Sequence, residues 1–106
     1  METDVLIVLC TFPDEEKARQ IGALLVEKQV AACVNVMAGL RSIYRWKNEI
    51  CDETEALAII KTTPGKYDDL EQLILRLHPY DTPEVVAVPV VRGEESYLAW
   101  VVGQCA

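Results

Sequence analysis

The sequence predicts an α+β subunit: a ferredoxin-like βαββαβ sandwich with an antiparallel sheet, a long β-hairpin arm and an extra C-terminal helix. Three observations predict it. Four β-favouring apolar runs are interleaved with two segments of helical apolar spacing in the order β-α-β-β-α-β. The second and third runs face each other across one tight polar turn. The chain has 106 residues, 51% of them apolar, enough for a single domain over 1–106 whose core needs no disulfide or structural metal.

Val5-Leu6-Ile7-Val8-Leu9-Cys10 is a continuous apolar run and predicts a buried central strand, ended by Thr11-Phe12-Pro13-Asp14. Asp14, Glu15 and Glu16 suit the positive end of a helix, with Asp14 as its cap or Pro13 in its first turn. Ala18, Ile21, Leu24 and Leu25 carry that helix to about Gln29. Ala32 to Met37 predicts the second strand. Ala38-Gly39 permits a bend, and the chain then continues extended from Leu40 to Trp46. There Ser42, Tyr44 and Trp46 share one face, and Arg41, Ile43 and Arg45 the other. Lys47-Asn48-Glu49 predicts a hairpin turn, and Ile50 to Thr62 the returning strand.

Pro64-Gly65 ends that strand. Tyr67, Leu70, Ile74 and Leu77 mark one face of the second helix, with Asp68 and Asp69 in its first turn. Pro79 stops it at His78, since proline bars its predecessor from helical geometry. Glu84 to Val91 predicts a fourth strand containing Pro89, which restricts it to an edge or a bulge. Ser96 is the expected cap of a short last helix carrying Tyr97, Leu98, Trp100 and Val101. Right-handed crossovers place both long helices on one sheet face and leave the other needing cover.

The totals exclude several functions. The net charge is −7 and the ten basic residues are scattered, which opposes nucleic-acid binding. No apolar stretch reaches the length of a membrane span. The opening Met1-Glu2-Thr3-Asp4 lacks a basic n-region, and the expectation is a cytoplasmic protein. Cys10, Cys33, Cys51 and Cys105 show no CxxC spacing, and a reducing compartment predicts no disulfide among them.

Topology alone gathers Cys10, Asp14, His78 and Glu84 at one end of the sandwich, the end from which the hairpin projects. Thiolate, imidazole and carboxylate suit copper or zinc, so Cys10, His78 and Glu84 are candidate metal contacts. The competing expectation makes His78 a helix C-cap and Cys10 a core thiol. Tyr44 and Trp46 on the arm, with Trp100, are candidate assembly-interface or cleft residues, because exposed aromatic patches mark association. No histidine-orienting triad is evident, so no enzyme is expected.

The segments Val8-Leu9-Cys10-Thr11, Ala31-Ala32-Cys33-Val34-Asn35, Ser42-Ile43-Tyr44-Arg45-Trp46, Ile60-Lys61-Thr62-Thr63, His78-Pro79-Tyr80-Asp81-Thr82-Pro83-Glu84 and Tyr97-Leu98-Ala99-Trp100 resemble the CutA family of divalent-cation tolerance proteins. The resemblance spans nearly the whole chain. It implies a cytoplasmic homotrimer linked to divalent cations, chiefly copper, and no organic cofactor. Family copper ligands are a cysteine and two adjacent histidines; Cys10 and His78 match two of them, and Leu77 stands at the third. The alternative expectation is a trimeric small-ligand sensor resembling PII signalling proteins, acting through clefts between subunits. Neither a P-loop nor a GxGxxG supports nucleotide binding.

Overall fold

The computed structural model describes residues 3–106, so Met1-Glu2 lies outside the described residues. Strand β1 (Leu6–Phe12) leads into helix α1 (Glu15–Glu27), then β2 (Cys33–Trp46) and β3 (Glu49–Thr62). A short 3-10 turn at Pro64–Lys66 opens helix α2 (Tyr67–Leu77), followed by β4 (Val85–Pro89) and helix α3 (Glu95–Gln104). Among the described residues the four strands form one antiparallel sheet in the order β2-β3-β1-β4. This is the ferredoxin-like arrangement, with β3 and β1 central and Pro89 ending an edge strand.

Register fixes the two faces. Val8, Cys10 and Phe12 of β1 pair with Ile60, Ala58 and Ala56 of β3, and all six are buried. With Ala18, Ile21, Leu25, Leu70 and Ile74 of the two long helices they form the main core. Each large side chain buried here contributes roughly 1.5–3 kcal/mol. The opposite face carries Ile7 and Leu9 of β1, Leu57 and Ile59 of β3, Met37 of β2, and Val86 and Val88 of β4. Helix α3 covers only one end of this face, packing Val101 and Cys105 against Val5 and Ala32. Met37, Val86 and Val88 remain about half exposed in the single subunit.

Local details depart from the sequence expectations at a few points. β1 runs two residues past Cys10, because Phe12 keeps pairing with Ala56 and buries its ring. Asp14 is the α1 cap: its carboxyl accepts from the Lys17 N–H at 2.7 Å, and Pro13 precedes it. β2 is one strand with a bulge between Met37 and Leu40, where Gly39 takes φ 78°. The hairpin turn is Lys47-Asn48, both at positive φ, and Glu49 already pairs with Trp46. β4 is shorter than Glu84 to Val91, spanning only Val85–Pro89. Glu94, not Ser96, caps α3: its carboxyl accepts from the N–H groups of Ser96 and Tyr97, a reach that the longer side chain permits.

Candidate functional site

The site is built around the loop that leaves α2. Pro79 cannot continue a helix, so His78 takes φ −71°, ψ 138° and closes α2 as its C-cap, its N–H donating to Ile74 O at 2.8 Å. Its side chain turns inward and is 8% exposed. Nε2–H donates to the carbonyl oxygen of Thr11 at 2.7 Å, and Nδ1 accepts the Tyr80 N–H at 3.1 Å. That pairing requires a neutral ring with the proton on Nε2. Burial lowers the readiness of the imidazole to take a proton, against the opposing pull of the Thr11 carbonyl and Glu55. The ring stacks on Phe12, centroids 4.6 Å apart, and meets Tyr80 at 4.7 Å. His78 thus clamps the loop to β1.

The clamp aims Tyr80. Its hydroxyl donates to Glu55 Oε2 at 2.6 Å. Burial first, then Glu55, raises the phenol's pKa well above its ordinary value. Glu55 is a buried acid, 7% exposed, at the base of the arm, where it pairs with Leu40 just beyond the bulge. Sequence reasoning missed it. The available signal was its position two residues before Leu57, which puts a carboxyl on the same strand face as an apolar side chain.

Between the arm and the loop lies a cleft of about 540 Å³. Tyr44, Trp46 and Tyr80 give it aromatic walls, Glu55, Asp81 and Glu84 give it carboxyl groups, and among the described residues no basic side chain lines it. Tyr44, Trp46 and Glu84 are therefore brought together. Trp100 is not: it sits on α3, half exposed, 5.8 Å from the ring of Tyr97.

Cys10 and His78 do not join Glu84 as a ligand set. Cys10 is fully buried on the helix-covered face, its thiol 3.8 Å from Thr11 O. Burial, then Glu84 and Glu55, push that thiol up to about 12, so it holds its proton near neutrality. Both ring nitrogens of His78 are already bonded to main chain. Leu77 offers no donor. Among the described residues, no three histidine, cysteine, aspartate or glutamate side chains cluster to hold a metal. The residues present do not fit the copper set that the resemblance implies.

A four-stranded sandwich with a projecting two-stranded arm and an acidic, aromatic cleft at its root defines a small protein of the ferredoxin-like class. Comparison with known proteins narrows that class. The family model "CutA1 divalent ion tolerance protein" matches residues 6–104, and the chain belongs to that family. It is 47% identical over 94 residues to the divalent-cation tolerance protein CutA of Thermus thermophilus, covering 89% of this chain and 91% of that protein. Against protein CutA of Mus musculus it is 42% identical over 91 residues, covering 86% of this chain and 51% of the relative. The solved structure of the Thermus thermophilus protein superposes with a TM-score of 0.94 at 43% identity, covering 96% of this chain and 99% of that one. CutA from Xylella fastidiosa gives 0.95 at 35% identity, covering 98% and 100%.

Proposed function

We propose that the chain acts as a homotrimer in cytoplasmic tolerance of divalent cations, without catalysis. One observation carries the assembly. Seven apolar side chains (Ile7, Leu9, Met37, Leu57, Ile59, Val86 and Val88) share a sheet face that α3 covers only at one end. Patches of that kind mark association surfaces, and three copies closing face to face would remove this one from water. The exposed Trp46 on the arm fits the same reading.

The cation link rests on the family, and copper remains the metal that the resemblance names. The absence of catalysis is supported by a thiol held protonated and an imidazole with both nitrogens engaged. The cytoplasm is supported by four free cysteines. Sedimentation in dilute buffer, with metal analysis of protein purified without chelators, tests the proposal. A mass of three chains with bound divalent ion is expected, and a stable monomer would overturn it.

The cleft favours a second reading, a small-ligand sensor. It has the size and the mix of apolar wall and few polar groups that ligand sites have.

A further inference from the structure

We propose that the arms of separate copies stack front to back, the arginine-bearing face of one ribbon lying on the aromatic and acidic face of the next. This rests on the trimer reading and names the contact that closes the ring.

The register of the hairpin sorts its side chains into two unlike faces. Trp46 pairs with Glu49 and Ser42 with Glu53, so Tyr44, Trp46 and both acids share the front. Ile43 pairs with Asp52 and Arg45 with Ile50, so Arg41, Ile43, Arg45 and Ile50 share the back. Glu49 and Glu53 stand an even number of residues before Leu57, and the front therefore continues the uncovered sheet face. The back continues the face of Ala56 and Ala58, but the long helices leave it bare: Ile43 is 69% exposed and Ile50 64%. On the front, Trp46 is about half exposed. A projecting ribbon that is apolar on both sides needs cover twice.

Charge selects what covers it. On the back, Asp52 holds Arg41 at 2.6 Å, while Arg45 has no acidic partner among the described residues. On the front, Glu49 and Glu53 have no basic partner among them. Arginine pairs with carboxylates and stacks on aromatic rings, and the front offers both side by side. Each face supplies what the other lacks, so a second copy of this chain answers both. Laying front on front would press Glu49 and Glu53 against acids, and back on back would press arginine against arginine. A two-fold contact brings a face onto itself, whereas unlike faces make a heterologous contact that closes as a ring. In a ring every arm has one neighbour ahead and one behind, and both of its faces leave water. Arginine, tyrosine and tryptophan are also the residues in which interface energy concentrates.

The test uses the full chain and charge reversal, with mass followed by sedimentation across a dilution series. Arg45→Glu alone, or Glu49→Arg with Glu53→Arg, sets like charge against like, and each is expected to weaken assembly at least tenfold. All three positions are exposed in the subunit, so the fold does not depend on them. Combining the three changes in one chain restores opposite charges across the contact and is expected to bring assembly back to within a few-fold of wild type. Such a rescue arises only between copies, because Arg45 and the two acids stand on opposite faces of their own ribbon. A wild-type trimer that neither reversal weakens, or that the triple variant fails to restore, would overturn the front-to-back contact and leave the trimer standing. A wild-type monomer would overturn both. A two-fold dimer that the reversals dissociate would place like faces together and overturn the proposal.

Discussion

The imidazole of His78 donates from Nε2 to the carbonyl oxygen of Thr11 across 2.7 Å, tying the end of α2 to the end of β1. With Nδ1 accepting from the Tyr80 amide, the ring has no position for a second proton that does not break a bond. Protonation would set a donor against a donor.

That arrangement predicts a pH dependence. The folded imidazole takes a proton less readily than its ordinary value of 6.5 implies, so below that pH the unfolded chain binds more protons than the folded one. The contribution of His78 is complete above about pH 6.5 and is lost as pH falls through the depressed folded value. Urea unfolding between pH 7 and 5 should show stability falling, and the fall should be smaller in His78→Gln. Parallel profiles for the two proteins would disprove the linkage.

Tyr80→Phe removes the donor to Glu55 Oε2 and leaves the ring in place. The loss should be about 1–3 kcal/mol, because a buried carboxyl is then left without its partner. Tyr67→Phe removes a bond of similar length to Glu71, but one made along a helix surface, and should cost less. Chemical denaturation of both variants makes the comparison.

Gly39→Ala tests the bulge. A Cβ there meets nothing within 4 Å, so no clash arises and only the φ of 78° resists it. Destabilisation of roughly 1–2 kcal/mol is expected from the left-handed backbone alone. Gly39→Asn should recover part of it, since asparagine tolerates that region. An unchanged midpoint in Gly39→Ala would show that the bulge relaxes.

Val86→Glu places a charge on the uncovered sheet face and should shift the sedimenting mass towards one chain. Leu75→Glu is the control: Leu75 is similarly exposed, but it lies on α2, away from that face. If both variants keep the wild-type mass, the sheet face is not the assembly surface.

Much of this molecule was legible in the sequence because its signals are local. Pro79 stops α2 wherever the chain goes, and Val5 to Cys10 reads as a central strand because both its faces are apolar. The family segments were equally plain. What escaped depends on partners distant in sequence. The thiol of Cys10 and the ring of His78 reach the same end of the sandwich, as element order requires, but the sheet separates the thiol from the cleft and main-chain groups occupy the ring. Glu55 stands beside Asp52 and Glu53 in the sequence, and nothing local sets it apart from them. Only the register with β2 and the reach of Tyr80, 25 residues away, show that it is buried. Ser96 matched the usual cap preference, but α3 starts one residue before it, and Glu94 accepts from the N–H groups of Ser96 and Tyr97.

The bulge at Gly39 also divides the hairpin mechanically. Below it, β3 lies between β2 and β1; above it, Leu40–Trp46 and Glu49–Glu55 find strand partners only in each other among the described residues, in a subunit whose long axis spans 44 Å. A lone two-stranded ribbon is barely stable in water. Its amide protons should therefore exchange long before those of the sheet below, and slow sharply when a neighbour or a guest settles against it. The tip of the hairpin is the natural reporter of occupancy, readable from hydrogen exchange without any label.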